Sequence, residues 1–145
     1  MTGNESGNKE TVRRLYEEVA NQGRLELIDE IAVPDHVEHN PFPQQSQGAE
    51  GLKQRISMVR AAFNPRFTIE HLIAEDDKVA VRLTAHAVHQ GDFMGLPATG
   101  KEYTISETHI FHLKDGKIAD HWRDADMLGL MRQLGAIPDP VKKAS

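Results

Sequence analysis

The sequence predicts one α+β domain: N-terminal helices against a curved, antiparallel or mixed sheet that wraps a single pocket. Three observations lead there. Apolar residues recur at helical spacing only before Asn64 and again near the C-terminus. Strand-like alternation fills most of the chain from Phe67 to Asp126. The 145 residues, 39% hydrophobic and 27% charged, suit one well-filled core in water. Helices first and antiparallel strands after place the helices on one face of the sheet. A sheet curved around them forms a cone, the kind of enclosure small-molecule sites favour.

The elements follow in order. Residues 1–8 are mostly small and polar and read as a tail. Val12, Leu15, Tyr16, Val19 and Ala20 form the apolar stripe of a helix over about Lys9–Asn21, which Gly23 stops. Leu25, Leu27, Ile28 and Ile31 suggest a short second helix closed by Pro34. His36 to Gln45, rich in Pro, amides and imidazoles, reads as an ordered loop. Leu52, Ile56, Val59 and Phe63 lie on one face of a third helix, about Ala49–Phe63, which Asn64-Pro65 ends. Phe67–Ile73 and Val79–Val88 read as strands joined by the turn Glu75–Lys78. Gly91–Gly100 is a loop whose Phe93, Met94 and Leu96 suit an apolar lid or a subunit contact. Tyr103–Leu113 is a long strand, Asp115-Gly116 a hairpin turn, and Ile118–Asp126 the last strand. Met127–Leu134 is a closing helical turn stopped by Gly135 and Pro138, and residues 139–145 read as a second tail. The domain proper is 9–138.

Bulk properties exclude several classes. The net charge is −5, and the basic pairs Arg13-Arg14 and Lys142-Lys143 form no stripe, so nucleic acid is not an expected partner. No apolar run reaches the length of a membrane span, and the N-terminal stretch lacks the apolar segment of a signal peptide. Without cysteine there is no disulfide, thiolate nucleophile or thiolate metal site. A cytoplasmic protein is the expectation. No nucleophile elbow and no dinucleotide-binding glycine pattern occurs.

Several segments together resemble the SnoaL-like polyketide cyclases of the nuclear transport factor 2-like superfamily. They are Gln47–Lys53, Gly95–Lys101, Asp115–Ile118, and His121-Trp122 through Asp126 to Leu128–Leu130 and Gln133–Gly135. The resemblance spans about Lys9 to Pro138. It implies a cone-shaped fold and ring closure by intramolecular aldol condensation, with a last-strand carboxylate as acid/base and with neither cofactor nor metal. It also implies a homodimer paired through the open sheet face, where the alternation of Val79–Val88 leaves Arg82, Thr84 and His86. The same fold hosts isomerases, dehydratases, hydrolases and non-catalytic binding modules, so it does not settle function.

Asp126 is the first candidate, since it matches the family's Trp-x-x-x-Asp pattern with Trp122. Regular alternation puts Ile118, Trp122 and Asp126 on one face, and Trp122, the only Trp, gains most by pointing inward. Asp126 then reaches the pocket rim, where apolar walls would raise its pKa toward use in proton transfer. The plain alternative is an N-cap for the following helix. Asp124 shares its parity and is the alternative pocket carboxylate, alone or sharing a proton with Asp126; its plainer reading is a solvated residue or a partner of Arg123 or another base. Glu107, His109 and Phe111 alternate on one face of the long strand, and Phe111 argues that this face is buried. His109 can then hold a substrate oxygen, with Glu107 orienting it or serving as a second acid, or the two can simply satisfy each other. His112 reads as outward-facing. His39 and Asn40 suit a carbonyl-binding pocket mouth, and Tyr16 and Trp122 join Phe111 as substrate contacts. His36 and His39 bind a metal only with a third ligand such as Glu38, His109 or Asp126, and no metal is expected. His71, His86, His89 and His121 read as surface or sheet residues. The expected ligand is a small apolar, polyketide-like carbonyl compound.

Overall fold

The apolar stripe of the first helix is longer than its regular part. In the computed structural model, which describes residues 4–138, α1 spans Glu5–Arg14 and runs on as a π-helical turn, Leu15–Ala20. Val12, Leu15, Tyr16 and Val19 are all buried along it. The expected tail over residues 1–8 is corrected: the helix starts at Glu5, with Glu5 in its first turn and Arg13 and Arg14 in its last, as the helix dipole favours. Asn8 is already buried. Gly23, at φ 77°, turns the chain back in the left-handed region. A 3-10 turn, Leu25–Leu27, leads into α2, Ile28–Ile31. The side chain of Asn21 pairs with both backbone groups of Phe67 and ties this end of the helix to the sheet.

The segment expected as a loop from His36 begins instead as a strand. β1 is Ala32–Glu38, with His36 and Glu38 buried. Pro34 gave no strand signal, but β1 is an edge strand and can do without that donor. α3 is Gly48–Ala62, followed by β2 (Arg66–Glu75), β3 (Lys78–Val88), β4 (Glu102–Lys114), β5 (Lys117–Ala125) and α4 (Met127–Gln133). The sheet order is β1-β5-β4-β3-β2, with β1 parallel to β5 and the other pairs antiparallel. Asp115 and Gly116, at φ 52° and 79°, form the tight β4–β5 turn that the Asp-Gly pair foretells.

Alternation holds along β3, where Val79, Val81, Leu83, Ala85 and Ala87 are all buried. In β5 it breaks. Leu113 pairs with Ile118, but His112 pairs with Asp120, so Ala119 is an extra residue bulged out of the ladder. A one-residue bulge exchanges the faces of everything beyond it. Ile118 points inward; past the bulge, His121, Arg123 and Ala125 lie opposite Phe111, His109 and Glu107. One core cluster joins α1, α2 and the closed end of the sheet around Phe111, Ile118 and Leu83. A second, with Phe63, Phe93, Tyr103 and Leu130, joins the end of α3, the 91–100 loop and α4. Among the described residues, no helix is long and apolar enough to cross a membrane. The C-terminal tail expected at 139–145 lies outside the described residues.

Candidate active site

Between the helices and the concave face of the sheet lies a cleft. Most of its wall is apolar, with Leu52, Ile56, Phe63, Phe67, Phe93 and Leu130 among its residues. Most of its polar groups belong to one stretch of wall: Tyr16 from the π-helical turn, Arg55 from α3, Glu107 and His109 from β4, and His121 and Arg123 from β5; Arg60 and Tyr103 line it too. Burial on this scale requires partners, and the partners are one another.

Arg55 Nη1 donates to Glu38 Oε1 at 2.5 Å. Glu38 Oε2 meets His121 Nδ1 at 2.6 Å, His121 Nε2 meets His109 Nδ1 at 2.6 Å, and His109 Nε2 meets Glu107 Oε1 at 2.8 Å. Arg123 Nε donates to the same Glu107 oxygen at 3.2 Å. The two imidazoles lie 4° from coplanar with centroids 4.9 Å apart, an end-on arrangement joined through facing nitrogens. Phe111 stacks on His121, its ring 4.5 Å away and 1° from parallel, and Tyr16 meets His109 edge-on. These rings hold the line of hydrogen bonds in plane.

Electrostatics follow from the pairing. Burial pushes the Glu107 carboxyl up, but the hydrogen bond from His109 and the charge of Arg123 outweigh it and hold the group at about 2. Glu38 is treated alike: burial opposes its charge, yet His121, His36 and Arg55 hold it well below the carboxylate range. Burial lowers His109, and lowers His121 to about 3, against the pull of the neighbouring glutamates. Burial also raises the Tyr16 phenol well above its ordinary value, so it is a neutral donor. Two polar features remain unused by the protein. Glu107 Oε2 has no hydrogen bond among the described residues, and Arg55 Nη2 is a buried donor without a partner. A cleft lined by a carboxylate with an unbonded oxygen and by two guanidinium groups suits a substrate that loses a proton and gains an oxyanion.

The expected residues divide cleanly. Glu107, His109 and Tyr16 line the cleft as anticipated. Phe111 is fully buried behind the wall rather than in it. Trp122 and Asp126 are not on the wall, and that expectation is corrected: the bulge at Ala119 turns both outward. Trp122 stacks face to face on His39 at 4.3 Å outside the cleft. Asp126 is exposed and caps α4, its Oδ1 accepting from Gly129 N at 2.9 Å. A Cβ on Gly129 would fall 2.2 Å from the other carboxylate oxygen, so glycine there makes room for this cap. Asp124 is exposed too. His39 bonds Asp120 at 2.9 Å, and Asn40 accepts from the Arg123 backbone at 2.9 Å and gives its carbonyl to Arg55; neither lines the cleft. Asn40 thus positions two cleft residues without joining them.

Sequence reasoning missed Arg55, Arg123 and His121. Arg55 sits three residues after Leu52 and four before Val59 on the inner face of α3, and a charge on an apolar helix face was the available signal. His121 was hidden by the bulge. His89, read as a sheet or surface residue, is fully buried as well. His36, Glu38 and His121 stand within 4.8 Å of one another and could in geometry grip a cation. Arg55 already holds Glu38, and its charge opposes a second cation there.

Comparison with known proteins gives this geometry a family. The model of the SnoaL-like polyketide cyclases matches residues 10–134. The chain belongs to the SnoaL-like polyketide cyclase family. It is 31% identical over 131 residues to the aklanonic acid methyl ester cyclase DauD of Streptomyces sp. (strain C5), covering 86% of this chain and 79% of that one. It is 31% identical over 120 residues to the nogalonic acid methyl ester cyclase of Streptomyces nogalater, covering 79% and 88%. TsrD from Streptomyces laurentii superposes with a TM-score of 0.83 at 28% identity, over 91% of this chain and 97% of that one. The nuclear transport factor 2-like fold expected from the sequence is therefore present, with a mixed rather than purely antiparallel sheet.

Proposed function

We propose that this protein closes a ring in a polyketide-like carbonyl ester by intramolecular aldol addition, with Glu107 as the acid/base and the Arg55 and Arg123 guanidinium groups holding the enolate oxygen. The observation that carries the reading is the unbonded Glu107 Oε2 on an apolar cleft wall, flanked by two arginines. Glu107 Oε2 takes a proton from the carbon between two carbonyls. The electron pair of that C–H bond becomes the enolate, whose charge the arginines offset. The enolate carbon bonds to a ketone carbon held against it, the ketone oxygen becomes an alkoxide, and Glu107 returns the proton. Substrate and product have the same mass. The apolar walls confine the folded chain, and proximity supplies much of the rate. Relatives named as methyl ester cyclases favour the methyl ester of a polyketide acid as the substrate class.

The test is incubation with aklanonic and nogalonic acid methyl esters, followed by chromatography and mass spectrometry. An isomeric cyclised product is expected, and Glu107→Gln should lower kcat/KM by about 10²- to 10⁴-fold, the usual contribution of a positioned acid/base. A product that has gained or lost water points to the hydrolase or dehydratase reading. Tight binding without turnover points to a binding module.

We also propose pairing of two copies through the outer sheet face, where Ile73 (64% exposed) and Ile110 (43%) stand beside Arg82 and Thr84. A monomer-sized peak in light scattering would rule the pairing out.

A further inference from the structure

Behind Glu107 the hydrogen-bond count does not close with two neutral histidines. The contacts Glu38–His121, His121–His109 and His109–Glu107 each need one proton. Two neutral imidazoles bring two. A two-proton chain must then leave two lone pairs facing each other, either two ring nitrogens 2.6 Å apart or a carboxylate oxygen against a bare nitrogen. All four residues are buried, and an unmade bond of this kind is costly there.

We propose that these four residues hold a third proton between them, and that Glu38 and His121 are positioning residues that store it and pass it to Glu107. With three protons every contact is satisfied in each arrangement. When Glu38 carries the proton, Glu38 donates to His121 Nδ1, His121 Nε2 donates to His109 Nδ1, and His109 Nε2 donates to ionised Glu107. If each proton moves across its own hydrogen bond, the same atoms end with Glu107 protonated and Glu38 ionised. No heavy atom moves, and the four residues carry a charge of −1 throughout. Their partners oppose a full proton on either glutamate, and burial opposes a full charge on either ring; a proton shared along the line is confined to none of the four. Arg55 on Glu38 and Arg123 on Glu107 offset the negative charge at both ends. The other groups facing the line are His36, 3.6 Å from Glu38 and too far for a hydrogen bond, and the neutral Tyr16. Glu107 therefore exchanges acid and base forms without solvent entering an apolar cleft.

The catalytic half of the proposal rests on the reading of Glu107 above; the proton count does not. Proton NMR of protein labelled with ¹⁵N-histidine, at neutral pH and without substrate, should show three strongly deshielded, exchange-protected protons that respond to substitution of His109 or His121. Two such protons would overturn the proposal. In Glu38→Gln, checked for cooperative unfolding, two should remain. Its kcat for ring closure should fall about tenfold or more with KM within about twofold, a loss confined to the proton-transfer step. The alkaline limb of kcat should also move to lower pH, because the carboxylate that favours the third proton is gone. Three protons in the native protein with an unchanged kcat and pH profile in Glu38→Gln would overturn the relay. Three protons without turnover of any ester would leave the proton store standing and remove the proposed activity.

Discussion

Asp126 separates two accounts of this site, and one pair of substitutions decides between them. The side chain is exposed, accepts from Gly129 N at 2.9 Å and caps a helix of 7 residues whose Leu130 packs into the second core cluster. Asp126→Ala removes the cap. Losing an N-cap acceptor costs about 1 kcal/mol, and in a domain of this size that lowers Tm by about 2–4 °C. Asp126→Asn keeps an oxygen acceptor of nearly equal capping strength, so Tm should hold within about 1 °C of the native value. Neither change touches the cleft, and kcat/KM should stay within about threefold for both. A catalytic Asp126 makes the opposite forecast. Asn cannot transfer a proton, so Asp126→Asn would lose about 10²- to 10⁴-fold in kcat/KM at unchanged Tm. Differential scanning calorimetry and the ester cyclisation assay, run on the same preparations, read both quantities. A hundredfold loss in Asp126→Asn would refute the assignment of the working carboxylate to Glu107.

Three further outcomes follow from the packing and charge. Phe111→Ala should cost about 3–5 kcal/mol in urea unfolding, because the ring is fully buried, and should loosen His121, which rests on it. Glu107, at about 2 in the folded state against 4.5 unfolded, binds its proton first in the unfolded chain. Its contribution is full above pH 4.5 and is lost as pH falls toward 2, so urea midpoints should decline over that range and decline less steeply in Glu107→Gln. Deleting Ala119 takes the extra residue out of β5, and regular alternation from Ile118 then keeps His121 and Arg123 on the inner face. Circular dichroism should show a cooperative transition for that variant, and an unfolded protein would refute the reading of Ala119 as the one extra residue of the strand.

Much of the architecture was legible in the chain. Helical spacing in Val12–Val19 and Leu52–Val59, alternation in Val79–Ala87 and the Asp115-Gly116 turn each express local geometry, and each reappears in the structure within a few residues. The family segments added connectivity. The face of β4 was legible for the same reason: Phe111 needs burial, and regular alternation carries His109 and Glu107 with it. The strand β1 was not, because Pro34 and a dense set of polar residues mask a pairing that exists only through β5.

The sequence by itself determined the class of fold, the order of its elements and the buried polar face of β4, since those depend on side chains a few residues apart. Tertiary structure alone decided which residues of β5 meet that face. Ala119 bulges where β5 pairs with β4 on one side and β1 on the other, pairings between distant segments that local sequence does not carry. That single extra residue moves Asp126 from the cleft to a helix cap and brings His121 and Arg123 in beside Glu107 and His109. Arg55 arrives from α3 to hold Glu38, 17 positions away in the chain but 2.5 Å away in space.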